Sequence, residues 1–255
     1  MNFTILRFDT LDSTNSEAVR EAKLGANEGL CIVAAQQTAG RGRHGRTWVS
    51  EKNSGLYFSV VLRPKLELKH LPLITLMTGI AVHDLLRDMG LRPDIKWVND
   101  VLIGDRKICG ILAETADTPA GLAVIVGIGV NLTSRNFPDE IAGTATSLEA
   151  ETSTARVPVP EAVAVATGIL ESLTKYIEYF YKILQGQAGP AEIIQHWRQR
   201  STYFSGKPVR VTLPEGTIEG TTDGLEENGA LRVKTSDGSV RIIQAGDVER
   251  LRTTG

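Results

Sequence analysis

Glycines at positions 40, 42 and 45 spell G-x-G-x-x-G, and the residues on either side of them decide the class of fold. The full stretch is Gln37-Thr38-Ala39-Gly40-Arg41-Gly42-Arg43-His44-Gly45-Arg46-Thr47-Trp48, entered from an apolar run at 30–35. A dinucleotide-binding unit would need a helix opening from the glycines and an acid about 20 residues on. Here the chain passes through Asn53-Ser54-Gly55 into the strand-like run 56–62, and no acid stands near Leu62 or Arg63. That context excludes the dinucleotide fold. What remains is a loop between two strands in which glycines let backbone approach a ligand and arginines supply planar forks for phosphate or carboxylate. Trp48 would be its apolar latch. A solvated basic loop is the plain alternative, and the rest of the chain has to decide between them.

Length allows one large domain, or one large and one small, in 255 residues. The net charge of −2 gives no global field for nucleic acid, so anion binding has to be local. Cys31 and Cys109 sit in apolar runs without metal-ligand spacing and read as buried thiols in a reducing compartment. No signal peptide or membrane span is read, so a cytoplasmic protein is expected.

In chain order, residues 3–8 read as a strand, and Thr14 with Glu17 has the spacing of a capping box. A helix through Ala18, Val19 and Ala22 should then stop at Gly25. Ser13, Thr14 and Asn15 serve either as caps or as polar ligand groups at its N-terminus. Pro72 opens a second expected helix to Met89, with Leu73, Leu76, Ile80 and Leu85 on one face. Residues 94–131 read as a three-stranded meander turning at Gly104-Asp105 and at 118–121. The stretch 133–153 looks like a polar loop. A long helix from 161 to about 185 comes after Pro158 and Pro160, and a short one covers 191–199. Short alternating runs over 206–252, with turns at 214–216, 227–229 and 236–238, suggest a small β-barrel. The expected domains are 1–203 and 204–255.

A second chemically loaded segment carries Lys96, Trp97, Asn99 and Asp100 before the hairpin and Lys107 after it. A lysine entering a buried strand beside glycine can set a point charge on an anionic centre. An edge-strand lysine with Asp100 as a turn residue is the alternative. Together, Gly40-Arg41-Gly42-Arg43-His44-Gly45-Arg46, Lys96-Trp97-Val98-Asn99-Asp100 and Lys107-Ile108-Cys109-Gly110-Ile111-Leu112 resemble the catalytic core of biotin–protein ligases. Ser13-Thr14-Asn15 before them and Gly127-Ile128-Gly129-Val130-Asn131 after them continue the match in order, and Gly246-Asp247-Val248-Glu249 fits the family's C-terminal domain. Two positions depart from the pattern: Val98 stands where proline is usual, and His44 where arginine is common. Some members carry an N-terminal helix-turn-helix. Because the match begins at Ser13, a monofunctional form without specific DNA binding is expected.

The resemblance implies an α/β (α+β) fold, a mixed sheet with helices packed on one side plus the small C-terminal barrel. It implies an ATP-dependent ligase that makes biotinyl-5′-AMP and transfers biotin to a lysine of a biotin carboxyl carrier protein. Two anions must meet, so cations are needed where charge develops, with Arg41, Arg43 and Lys107 as candidates and Mg²⁺ on the phosphates. Ser13, Thr14, Asn15 and Gln37 would meet the biotin head or tail. Gly110, Gly127 and Gly129 would allow close approach along the strands. Gly40, Gly42, Trp48 and Asn131 complete the expected binding set, and Asp100 would receive or orient the acceptor amine. The loop 40–46 is expected to act as a lid over the adenylate, held by Arg43. No protein metal ligands and no membrane contact are expected, and a homodimer stays open. A lipoate–protein ligase and a non-catalytic biotin or adenylate binder are the alternatives.

Overall fold

The computed structural model describes residues 1–134, 137–152, 159–214 and 216–250. The first unit is β1 (Thr4–Leu11), helix α1 (Thr14–Lys23) and β2 (Leu30–Gln37), with β1 and β2 paired in parallel. Strand β3 (Gly55–Leu62) returns antiparallel to β2. Helix α2 (Leu73–Asp88) then leads to β4 (Pro93–Lys96), β5 (Asp100–Ile103), β6 (Arg106–Thr118) and β7 (Gly121–Asn131). These strands form one seven-stranded sheet in the order β1-β2-β3-β7-β6-β5-β4. The expected three-stranded meander is therefore four strands. The run 94–103 breaks at Trp97–Asn99, so that Lys96 faces Asp100 across a tight antiparallel pair. The Trp97–Val98 peptide is cis.

Period-2 alternation divides the sheet between two faces. Leu56, Phe58, Val60 and Leu62 of β3 and Val124, Val126, Ile128 and Val130 of β7 join the large core under α2. Burying each such side chain contributes about 1.5–3 kcal/mol. The alternate residues Val61, Ala123 and Ile125 meet Ala18 and Ala22 of α1 on the opposite face. The helices thus lie on both sides of the sheet rather than on one, because α1 carries its own small apolar stripe.

The apolar spacing in α2 predicts a single buried face, yet every residue from Leu73 to Leu86 except Thr75 is buried. The helix lies between the sheet, the long helix α5 (Val159–Leu184) and α6 (Gly189–Arg198). A helix enclosed in this way has few exposed positions left for polar residues. Its buried Asp84 is accordingly paired, accepting from Arg200 Nε at 2.7 Å and Nη2 at 2.8 Å. The expected loop 133–153 contains two short helices, α3 (Asp139–Ala142) and α4 (Leu148–Glu151). Residues 135–136 and 153 of that stretch, and Pro158, lie outside the described residues.

The C-terminal strands are β8 (Ser205–Leu213), β9 (Gly216–Leu225), β10 (Leu231–Lys234), β11 (Val240–Ile243) and β12 (Asp247–Arg250). They form an antiparallel sheet in the order β11-β10-β9-β8-β12. Glu215 of the expected 214–216 turn and residues 251–255 lie outside the described residues. Trp97 ties this sheet to the first one. Its indole is buried and its Nε1 donates to the Gly229 carbonyl at 2.9 Å.

Candidate active site

One cleft of about 840 Å³ gathers almost all of the sequence-derived candidates. Ser13, Thr14, Asn15, Gln37, Arg41, Gly42, Arg43, Trp48, Asp100, Lys107, Gly110, Gly127, Gly129 and Asn131 line it. Gly40 stands just off the wall, where a Cβ would lie 2.3 Å from the Trp48 carbonyl oxygen.

The floor is a consequence of strand geometry. Gly127, Gly129 and Asn131 are alternate residues of β7, so they share one face and span about 14 Å, four residues at 3.4 Å each. Three environments are laid out along that length. Over Gly127 sits the Asn15 amide, whose Oδ1 is 2.3 Å from where a Cβ would be. Over Gly129 and Gly110 lies the Trp48 indole, which would meet a Cβ at 2.4 Å and 2.7 Å respectively. The glycines therefore make room for protein side chains that wall the pocket. At the far end Asn131 Nδ2 donates to the Thr146 carbonyl at 3.0 Å and to the Lys107 carbonyl at 3.4 Å, bracing the strand that carries Lys107.

The end under Asn15 is polar and buried. Ser13, not Thr14, is the N-cap of α1, accepting from the Ser16 N–H at 3.4 Å. Thr14 is thereby released to face the cleft, where its N–H donates to Gln37 Oε1 at 2.8 Å. Ser59 hydroxyl lies 2.7 Å from both Thr14 Oγ1 and Asn15 Oδ1. Asn15 Nδ2 donates to Glu114 Oε2 at 2.6 Å and to the Leu112 carbonyl at 3.2 Å. Thr14, Asn15 and Ser59 are all buried.

The other end concentrates charge. Asp100 accepts from Lys107 Nζ at 2.6 Å and lies 3.2 Å from Lys96 Nζ. Burial pushes its carboxyl upward, but the ammonium groups of Lys107 and Lys96 outweigh that and hold it below the ordinary range. The group is a carboxylate at neutral pH. Lys107 Nζ also stands 5.2 Å from the centre of the Trp48 ring. Arg43 reaches the same end, donating to Asn99 Oδ1 at 3.3 Å and to the Gly246 carbonyl at 3.4 Å. Burial lowers its pKa, which still leaves the guanidinium charged at neutral pH.

The loop 40–46 is tethered at three points. Arg41 pairs with Glu114 at 2.8 Å, Arg43 holds Asn99, and Arg46 pairs with Asp247 of the C-terminal sheet. Arg41 thus lies toward the Asn15 end, away from the Lys107 cluster where Arg43 sits. His44 adopts a left-handed backbone (φ 54°) and is exposed.

Four groups at this site are not among the sequence-derived site residues: Lys96, Asn99, Ser59 and Glu114. Lys96 and Asn99 belong to the Lys-Trp-Val-Asn-Asp motif. Ser59 is the one small polar residue in an otherwise apolar or aromatic run at 56–62. Glu114 comes after Gly110 and Leu112 at spacing two, which puts it on the same face of β6.

Comparison with known proteins identifies the family. Residues 8–131 match the Biotin/lipoate A/B protein ligase family, and residues 204–251 match the Biotin protein ligase C terminal domain. The chain is 33% identical over 249 residues to the bifunctional ligase/repressor BirA of Bacillus subtilis, covering 96% of this chain and 73% of that one. It is 32% identical to the biotin–[acetyl-CoA-carboxylase] ligase of Mycobacterium tuberculosis, covering 94% and 86%. Among solved structures, the biotin protein ligase from Aquifex aeolicus in complex with biotin and ATP superposes with a TM-score of 0.82 at 29% identity, over 97% of this chain and 99% of that one. With its ordered motifs in one cleft and these matches over nearly all its length, the chain belongs to the biotin protein ligase family.

Proposed function

We propose that this protein joins biotin to ATP as biotinyl-5′-AMP and then passes the biotinyl group to a lysine of a carboxyl carrier protein. The observation that carries the reading is the order of environments along β7. A hydrogen-bonding end under Asn15, an apolar middle under Trp48 and a cationic end at Lys107 and Arg43 match an acid with a ureido head, an apolar body and a carboxylate tail.

In the first step a biotin carboxylate oxygen attacks the α-phosphorus of ATP and the bond to pyrophosphate breaks. Lys107 and Arg43 offset the mutual repulsion of the two anions and the charge that builds on the phosphoryl oxygens. A Mg²⁺ carried on the triphosphate would neutralise the leaving pyrophosphate. Among the described residues no cluster of three His, Cys, Asp or Glu side chains is placed to hold such an ion, so it would arrive with the triphosphate. In the second step the acceptor lysine, having given its ammonium proton to water, attacks the acyl carbon as the amine; AMP leaves as the acyl–phosphate bond breaks, and the remaining proton passes from the new amide nitrogen to the released phosphate or to water. Asp100, kept ionised by two lysines, is a weak base but a strong anchor for an incoming ammonium. It orients the acceptor lysine more than it takes its proton. The loop 40–46, with Arg43, acts as the lid over the anhydride. The unit that does this chemistry is taken as residues 1–203, with 204–255 contributing Gly246 and Asp247 to the lid's seat.

The polar end also bears on the lipoate alternative, because a dithiolane head has no N–H to give the oxygens of Thr14 and Ser59. The test is pyrophosphate release with biotin or lipoate as the only acid. Biotin-dependent release is expected. Faster release with lipoate would replace this reading with a lipoate ligase, and no release with either would leave a binder.

A further inference from the structure

We propose that Glu114 is the positioning residue that sets the hydrogen-bond polarity of the pocket's polar end, and so its selectivity for an acid whose head carries N–H donors. This rests on the biotin ligase reading of the cleft and extends it to a residue outside the loop and the lysine motifs.

Asn15 is 3% exposed and Ser59 is fully buried, in a part of the sheet face that would otherwise be apolar. Burying such groups is costly unless their hydrogen bonds are complete, and a primary amide fits its site equally well by shape in either orientation. Something must choose. Glu114 is a carboxylate and can only accept. It takes Asn15 Nδ2 at 2.6 Å, while the second amide proton goes to the Leu112 carbonyl at 3.2 Å. Both donors of Asn15 are then committed to groups that can only accept, so Oδ1 must face Ser59 at 2.7 Å. With its one proton on Asn15 Oδ1, Ser59 can meet Thr14 Oγ1 at 2.7 Å only as acceptor, and the single Thr14 hydroxyl proton is then shared between Ser59 and Gln37 Oε1, which lies 3.1 Å away.

The opposite end is fixed as well. The Thr14 N–H can only donate, and it holds Gln37 Oε1 at 2.8 Å. Gln37 Nε2 is thereby turned to Ser50 Oγ at 2.8 Å, and Ser50 passes its own proton to the Trp48 carbonyl at 3.0 Å. The network thus runs outward from Thr14, its donors pointing to the Glu114 carboxylate on one side and to the backbone of the loop on the other. Its hydroxyl protons are committed within the network, leaving oxygen lone pairs for a ligand's N–H groups. Reversing Asn15 would send a donor toward Ser59 and undo that arrangement.

Glu114 has a second partner, Arg41 Nη2 at 2.8 Å, with the two side chains 30% and 43% exposed. An exposed pair of this kind contributes little by itself. Its place is at the outer edge, where Arg41 covers the carboxylate that Asn15 holds from within.

The test uses the full-length enzyme and three acids: biotin as substrate, with lipoate and octanoate as competitors lacking head N–H donors. Glu114→Gln keeps the shape but offers an NH₂ that competes with the Asn15 amide. It should raise KM for biotin tenfold or more with kcat for pyrophosphate release changed less than twofold. The inhibition constants of lipoate and octanoate should stay within twofold, so that selectivity falls by the same factor. An unchanged biotin KM in Glu114→Gln overturns the assignment. So does a parallel loss for all three acids, which marks a merely structural role. Absence of biotin-dependent release by the wild type would instead bring down the ligase reading itself.

Discussion

The two faces of the seven-stranded sheet are made by the same strands and do different work. On one face Leu56, Phe58, Val60 and Leu62 of β3 meet α2 in a continuous apolar core. On the other, Tyr57 of the same strand lines the cleft and Ser59 joins its hydrogen-bond network. Strand β7 does likewise, with Val126, Ile128 and Val130 inward and Gly127, Gly129 and Asn131 toward the ligand. Because side chains alternate strictly, stability and chemistry sit one residue apart in sequence but on opposite sides of a backbone. The contrast teaches that a substitution's effect is decided by which face it reaches.

Truncating the core face should give the largest change. Phe58→Ala removes a side chain that is 1% exposed and should cost about 4 kcal/mol of stability. Denaturant unfolding measures this, and the enzyme that stays folded should keep its biotin KM. A KM shift as large as the stability loss would break the independence of the faces.

On the cleft face the balance reverses. Lys107→Ala should slow adenylate formation about a hundredfold or more, roughly 3 kcal/mol in the barrier. Pyrophosphate release reads the rate, and the unfolding midpoint should move far less than in Phe58→Ala. Near-normal release would remove Lys107 from the chemistry.

A charged pair on the core side sharpens the comparison through pH. Burial raises the Asp84 carboxyl, but the His83 hydrogen bond and the Arg200 ion pair prevail and hold it well below the ordinary value. A carboxyl depressed on folding contributes stability above its unfolded pKa of about 3.9, and loses it as pH falls toward the folded value. Asp84→Asn should therefore cost about 2–3 kcal/mol at pH 7, since it strands the part-buried Arg200 guanidinium. The deficit should shrink when unfolding is measured near pH 3. Equal deficits at both pH values would contradict the ion-pair account.

The smallest effect is expected at the lid's outer tether. Arg46 is 62% exposed and Asp247 30% exposed, so Asp247→Ala should change stability by less than about 1 kcal/mol. A differential scanning comparison with wild type checks this. A larger loss would mean the C-terminal sheet holds the lid more firmly than an exposed pair allows.

Much of the cleft was legible because its residues fall in short, ordered motifs with unusual composition. Three arginines among glycines, and lysines flanking a hairpin, stand out against an ordinary background. Glu114 and Ser59 did not, since each lies in a strand whose face had not been assigned and neither belongs to a motif of unusual composition. Thr14 was misplaced as the cap for a related reason. Both Ser13 and Thr14 are accepted caps, with serine the better one; the spacing to Glu17 pointed to Thr14, whereas in the fold Ser13 is the cap and Thr14 turns to Gln37 and Ser59. The α2 reading failed in the other direction, for periodicity records apolar residues and not how many neighbours enclose them.

The sequence by itself determined the family, the order of most elements and the identity of most groups that line the cleft. Those come from local patterns: alternation in strands, 3.6-residue spacing in helices and glycine at close approaches. Tertiary structure alone decided that Lys96 and Lys107 share one carboxylate, that Trp48 lies on Gly110 and Gly129, and that Glu114 orients Asn15 across 99 residues of chain. It also decided that the lid arginines reach the C-terminal sheet at Gly246 and Asp247. These are pairings between distant segments, and their partners are selected by sheet register and helix packing rather than by any local preference.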